Sequence, residues 1–325
     1  MRDHGRVHAV IRKPAGLRLS LLRPHRHSRL LERSVPTRAG GVFRPSGSGP
    51  PGGEQRSAQP THRVGNLQNA AWAQAHYRAE WIHAKGKRRL LEDASEELLV
   101  LPLDNFIFAR RHRVSGKFVD HTWLIAAWIQ DQDPKLDAIR EAAAQILALT
   151  DYTSLAGPNS PAQVREQAKA LYQALQNHGW RHDDSGLVFH KAEGHFIQRV
   201  RFPGQTLDAR GGNCLEGSVL FASLLSASRL HPIILFVPGH AIVGWKDWDR
   251  TQANWEFLDM TMTGALTFEE ACAEGNKKYA EVKELCEEWI QTNPTLIANA
   301  ESFAIPVDIH DVWKNRRMIT LPSQM

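Results

Sequence analysis

Cys214, His240 and Asp259 are the residues of this chain whose types and spacing could do chemistry together. Cys214 sits in Arg210-Gly211-Gly212-Asn213-Cys214-Leu215-Glu216, His240 in Gly239-His240-Ala241 and Asp259 in Phe257-Leu258-Asp259-Met260-Thr261. A thiol becomes a useful nucleophile when a base or cation stabilises its thiolate, and a third group must hold that base in the right tautomer. Cysteine, histidine and aspartate in this order supply all three parts. The chemistry they imply is nucleophilic attack by sulfur.

The elements around them can bring the three together. From Cys214, the residues Leu215, Val219, Ala222, Leu225 and Ala227, with Leu220, Phe221 and Leu224, make a broad apolar helical face. Gly211 and Gly212 permit a tight turn just before it. A thiol at a helix start lies at the positive end of the dipole, which favours thiolate. Residues 232–237 read as a buried strand and Pro238-Gly239 as a turn. Residues 240–245 read as a second strand, with His240, Ile242 and Gly244 on one face. Residues 255–259 read as a third, with Trp255, Phe257 and Asp259 on one face. The order predicts a helix carrying Cys214 packed on a sheet that offers His240 and Asp259.

A wider set of motifs surrounds these residues. Gln198-Arg199-Val200-Arg201-Phe202-Pro203, Leu207, Arg210 to Cys214, Leu220-Phe221-Ala222-Ser223-Leu224-Leu225, Pro232, Gly239-His240-Ala241 and Gly244 run through the middle of the chain. Phe268-Glu269-Glu270-Ala271, Gly275, Val307-Asp308-Ile309 and Ile319-Thr320-Leu321-Pro322 follow. Together, over residues 185–322, they resemble the core of bacterial transglutaminase-like (papain-like) domains. Glu216, two places after the cysteine, matches an acidic residue common in bacterial members. Leu215 stands where papain and the animal transglutaminases have Trp.

The resemblance implies an α+β fold of the transglutaminase-like/papain-like kind, in which a helix carrying Cys packs on an antiparallel sheet carrying His and Asp. It implies acyl transfer: Cys214 attacks a carboxamide or peptide carbonyl of a protein or peptide substrate, His240 moves the proton and Asp259 fixes the imidazole. The Cys214 backbone N–H and a side-chain amide would stabilise the oxyanion; Gln198 is favoured for the amide and Gln205 competes. Water as second acceptor makes a protease or deamidase, and a lysine amine makes a cross-linking acyltransferase. Hydrolysis is the leading reading. The alternative from another class is a non-catalytic binding or scaffold module that keeps the fold without turnover.

Composition sets the frame. The chain has 325 residues, 42% of them hydrophobic, enough for one large or two small domains. Three cysteines make no disulfide framework, and Cys272 and Cys286 fall in helical sequence as helix-face residues, a pattern suited to a reducing cytoplasm. No apolar run reaches membrane-spanning length, so no membrane partner is expected. His178, His182, His190 and His195 are dispersed without metal-ligand spacing, and no nucleotide-binding glycine loop is present. No metal and no cofactor are therefore expected.

The net charge of +5 is uneven. Residues 1–65 hold 13 basic and three acidic residues, whereas the remainder holds 27 basic and 32 acidic. This Arg/Pro/Gly-rich segment reads as a disordered tail. A silent tail, a nucleic-acid-binding arm, a transit-like segment and an upstream extension all fit its composition, and nucleic acid enters as a partner only through it. Residues 66–150 read as a small, mostly helical accessory region: helices over 66–84 and 87–99, extended chain over 98–109, strand or helix over 118–129 and a helix over 135–149. Arg110 to Arg113 read as a basic loop. Ser160-Pro161-Ala162-Gln163 caps a helix running to about 177, inside the domain assigned to 151–325.

Overall fold

A helix with apolar residues on every side is stable only when every side is covered. The segment from Cys214 to Ala227 is such a helix, and all residues from Leu215 to Ser226 are buried. In the computed structural model the described residues are 6–12, 71–82, 88–112, 114–150, 155, 160–184, 189–192, 195–246, 254–292, 296–297 and 304–316. The protein is a mixture of helix and sheet of the α+β kind. It divides into two units, residues 1–103 and 104–325.

In the first unit, β1 (Arg6–Arg12), β2 (Ala71–Ile82) and β3 (Arg88–Val100) form an antiparallel sheet in the order β1-β2-β3. This corrects the helical reading of residues 66–84 and 87–99. Ala71, Ala73, Ala75, Tyr77, Ala79 and Trp81 recur at every second residue, which is the strand period rather than the helical one. Backbone pairing along the whole hairpin, from Ala71↔Val100 to Ile82↔Arg88, then overrides local preference. The tail is corrected at one place: residues 6–12 are a strand rather than disordered, consistent with β-branched Val7, Val10 and Ile11. Residues 13–70 lie outside the described residues.

The second unit begins with β4 (Asn105–Arg111), β5 (Phe118–Asp120) and a 3-10 helix at Thr122–Ala127. Residues 118–129 thus hold both of the alternatives the sequence left open. The chain continues through α1 (Asp137–Leu147), α2 (Pro161–His178), β6 (Arg181–His182), β7 (Phe189–Ala192), β8 (His195–Arg199), α3 (Pro203–Asp208), β9 (Gly211–Gly212) and α4 (Cys214–Ala227). It ends with β10 (Pro232–Val237), β11 (His240–Lys246), β12 (Trp255–Leu258), α5 (Phe268–Thr292), β13 (Leu296–Ile297), β14 (Ile305–Asp308) and α6 (Ile309–Arg316). Because the division falls between Leu103 and Asp104, residues 104–150 belong with the second unit rather than with an accessory region ending at 150. Arg110 and Arg111 lie on β4 rather than in a loop, and Arg113 is outside the described residues.

One antiparallel sheet of this unit runs β12-β11-β10-β14, another β13-β5-β4-β8-β7, and β6 and β9 form a short parallel pair. Ser160 caps α2 as the sequence predicts, its hydroxyl accepting from the Gln163 amide at 3.3 Å. Ile234, Phe236, Ala241, Val243 and Trp245 share a core with α4, whereas Ile233, Leu235, Ile242 and Phe257 pack with Cys286 of α5. Alternation along each strand therefore serves two helical layers, one on each face. Among the described residues no helix is long and apolar enough to cross a membrane.

Candidate active site at the start of the buried helix

Cys214 is the first residue of α4, and its position is fixed by the residue before it. Asn213 is 1% exposed. Its Oδ1 accepts from the Leu215 and Glu216 amides at 3.0 and 3.1 Å, and the Glu216 carboxylate accepts in return from the Asn213 amide at 3.2 Å. This is a reciprocal capping box, and it satisfies helix-start donors that burial would otherwise leave unpaired. Arg201 clamps the outer side of Glu216 with Nε to Oε1 at 2.9 Å and Nη2 to Oε2 at 2.8 Å, and also donates to the Gly211 carbonyl at 3.0 Å. Glu216 is therefore part of the scaffold. The Asn-x-x-Glu spacing is the sequence signal for it.

Close packing sets the height of the helix. A Cβ on Gly217 would lie 2.7 Å from the Trp180 ring and 3.0 Å from the Met260 Cβ, so only glycine lets those side chains reach the first turn of α4. Ser218, one turn beyond Cys214, donates to the Cys214 carbonyl at 2.8 Å and lies 3.3 Å from the Ala241 carbonyl, tying α4 to β11 beside His240.

His240 enters from the other side. It is the first residue of β11 and follows a two-residue turn, with Val237 paired to His240 across Pro238-Gly239. Gly239 has φ of 72°, the left-handed conformation that a Pro-Gly turn needs at its second central residue. Asp259 lies one residue past β12, where its backbone amide donates to the Ala271 carbonyl of α5 at 3.1 Å. The Ile242 and Phe257 face of the sheet turns toward α5, yet His240 and Asp259 still meet at the start of α4. Both stand at strand ends, where the pleat no longer commits a side chain to one face.

The three side chains form one connected group. His240 Nε2 donates to Asp259 Oδ2 at 3.0 Å, and the Cys214 thiol lies near enough to the ring to help raise its pKa. With Nε2 engaged by the carboxylate, Nδ1 is the nitrogen left for sulfur. Asp259 is 1% exposed; its Oδ1 accepts from the Thr261 amide at 3.0 Å and the Thr261 hydroxyl at 2.7 Å. Burial pushes the Asp259 carboxyl upward, but the His240 bond and charge, with the Thr261 donors, hold it down to about 2. Burial acts first on His240 too and would lower it; the bonds and charges of Asp259 and Cys214 outweigh that and raise it to about 9. The imidazole is thus held charged at neutral pH by two acidic partners.

Gln198 is buried, and its Nε2 donates to Asn213 Oδ1 at 3.3 Å, which brings its amide to the residue before Cys214. Gln205 serves elsewhere: its Oε1 accepts from the Phe202 amide at the start of α3. Lys278 of α5, 3.7 Å from Asp259 Oδ2, and Thr261 are additions the sequence did not single out. Lys278 follows Asp259 by 19 residues on a separate helix, and no local motif marks it.

Cys214, Cys272 and Cys286 are all free thiols. Cys214 is half-buried, whereas the other two are buried in α5. Burial pushes the Cys272 thiol up beyond the ordinary range and the Cys286 thiol to about 11. Among the described residues no group of three or more His, Cys, Asp or Glu side chains could hold a metal ion. With a charged imidazole between sulfur and an ionised carboxylate, sulfur can bond to carbon and the imidazolium can then give its proton to a leaving group. No protein-family model matches the chain, and no curated protein matches it.

Proposed function

We propose that this protein carries out thiol-dependent amide-bond chemistry on a protein or peptide substrate, with hydrolysis as the leading reaction, in a core of the transglutaminase-like kind. The observation that carries the reading is His240, bonded through Nε2 to Asp259 and influenced by the neighbouring Cys214 thiol. Cys214 sulfur, its proton already held by the charged His240, bonds to the carbonyl carbon. His240 returns that proton to the leaving amine as the C–N bond breaks. Water then attacks the thioester, giving a proton to His240, and the C–S bond breaks to release the carboxylic acid and restore sulfur beside the charged imidazole. Gln198 and the Cys214 amide are the donors suited to the oxyanion. Asp259 keeps one tautomer in place throughout.

The test is alkylation by iodoacetamide at about pH 6, with mass-spectrometric mapping of the labelled cysteines. Cys214 is expected to react at least tenfold faster than Cys272 or Cys286. Burial of the other two contributes to that difference, so the decisive comparison is His240→Gln. That variant should slow alkylation of Cys214 at least tenfold while circular dichroism is unchanged. A folded His240→Gln protein labelled as fast as wild type would remove His240 as the base and overturn the proposal.

A further inference from the structure

A second cluster of titratable groups lies toward the other end of α4, outside the site just described. His231, immediately before β10, meets Asp308 at the end of β14, with Nε2 and Oδ1 2.7 Å apart. Its Nδ1 faces Nδ1 of His310, in the first turn of α6, at 3.2 Å. The two rings are edge to face with centroids 4.4 Å apart. His310 Nε2 is 3.4 Å from the hydroxyl of Ser226, in the last turn of α4, and that hydroxyl donates to Asp131 Oδ2 at 3.1 Å. Lys246, at the end of β11, pairs with the other oxygen of Asp308, and the Asp311 amide donates to Oδ1 at 3.0 Å. The cluster thus joins α4, β10, β11, β14, α6 and the segment after the first 3-10 helix.

We propose that His231 and His310 form a proton-counting latch, which holds α6 against the sheet while the pair carries no more than one added proton and releases it on the second. Hydrogen-bond counting gives the reason. With both rings neutral, His231 Nε2–H donates to Asp308, His310 Nδ1–H donates to His231 Nδ1, and His310 Nε2 is an acceptor beside Ser226. With one proton added, His231 Nδ1–H donates to His310 Nδ1, and His310 shifts its own proton to Nε2, facing the Ser226 oxygen. Ser226 keeps its donation to Asp131. The singly protonated state satisfies every group, whereas in the neutral state His310 Nε2 faces a Ser226 oxygen whose proton goes to Asp131. With two protons added, each Nδ1 carries a hydrogen, and two donors of like charge face each other across 3.2 Å. No tautomer relieves that, so the rings must part.

The charged groups around the pair set how it responds. Asp308, Asp131 and Asp311 favour the first proton, and Lys246 opposes it. The Asp308 carboxyl is held well below the usual carboxylate range: burial raises it, and His231 and Lys246 outweigh that. Asp308 therefore stays ionised while the histidines titrate. Two fastenings of α6 carry no titrating group in that window: Trp313 Nε1 donates to the Ala126 carbonyl at 2.9 Å, and the Arg316 guanidinium lies 4.1 Å from the centroid of the Trp123 ring. Release at the pair should therefore loosen the start of α6 more than its end. A released or unfolded pair takes two protons below about pH 6.5, whereas the closed geometry has no place for the second. Because the closed pair cannot take the second proton, the closed state should lose population as pH falls below that point.

The experiment is amide hydrogen exchange of the full chain, expressed as protection factors at residues 309–316 from pH 7.5 to 5. Wild type should lose protection at the start of α6 as pH falls, and His310→Gln should be less protected at pH 7.5 but flat across the range. Undiminished protection of wild type down to pH 5, or an unchanged slope in His310→Gln, overturns the latch. Ring-nitrogen NMR of wild type provides a measurement that does not depend on the variant folding. Uptake of a single proton by the pair before α6 loosens supports the proposal, and two independent titrations with α6 still closed overturn it. Neither readout involves Cys214, so the result stands apart from the proposed amide chemistry.

Discussion

Near the start of α4, His240 bonds Asp259 at 3.0 Å; near its end, His231 bonds Asp308 at 2.7 Å. Both histidines are about a quarter exposed or less, and both aspartates have their carboxyls held down by their partners. What separates the two is the group on the far side of the imidazole. His240 faces a thiol, which can leave its proton and form a bond to carbon. His231 faces another imidazole, and Asp308 is further saturated by a lysine and a backbone amide. A histidine–aspartate pair is thus no mark of catalysis by itself. The third partner decides whether the pair drives chemistry or fastens elements together.

The comparison breaks most visibly at Asp308. Replacing it with alanine leaves His231 and Lys246, each about three-quarters buried or more, without their carboxylate. Loss of one partner from such a group costs about 3 kcal/mol. Urea unfolding of Asp308→Ala should show that loss, and iodoacetamide should still label Cys214 at the wild-type rate. A large drop in labelling of a folded Asp308→Ala protein would mean that the two ends of α4 are coupled.

Asp259→Asn should do the reverse, with a smaller effect on stability and a large one on reactivity. The amide keeps the volume and can still accept from Thr261, but its NH₂ would face His240 Nε2 and impose the wrong tautomer. Without the carboxylate, burial dominates and His240 should titrate well below about 9, which NMR can follow. His240 is raised in the folded protein, so its contribution is complete below about pH 6.5 and fades as pH rises through 9. Asp259 is lowered, so its own contribution is present above about pH 3.9 and fades as pH falls through 2. The variant should therefore lose about 2 kcal/mol at pH 6 and progressively less toward pH 9. An equal loss at both pH values would show that the charge on His240 is not what Asp259 stabilises.

Much of the α4 region was legible in the sequence because its signals are local. The helix from Cys214 declares itself by apolar residues on all sides, the hairpin by Pro-Gly between two β-rich runs, and α2 by Ser-Pro at its start. These are also the elements that bring Cys214, His240 and Asp259 together. The first unit was misread because its strands are made of alanine, leucine, glutamate and arginine, which suit a helix until a partner strand pairs with them. The second histidine cluster was invisible for another reason. His231, Asp308 and His310 are up to 79 residues apart and meet only through the β10–β14 pairing, which no spacing rule encodes. The Asn213–Glu216 box lay within reach, since its spacing is a known helix-start pattern.

That box supplies the finest test of how the reactive end is held. In Asn213→Ala, the Leu215 and Glu216 amides lose their acceptor in a buried site, and Gln198 loses the oxygen that holds its amide beside Cys214. The cap alone is worth about 1 kcal/mol. Asn213→Ser restores a helix cap with a side chain too short to hold Gln198 in the same place. Serine should therefore recover most of the stability lost by alanine, measured as the shift in the denaturation midpoint, and should restore iodoacetamide labelling, which forms no oxyanion. It should not restore the rate of thioester formation with an activated ester, a step that does form one. Recovery of both rates in Asn213→Ser would show that Gln198 is placed independently of Asn213, and that the start of α4 is held by its cap alone.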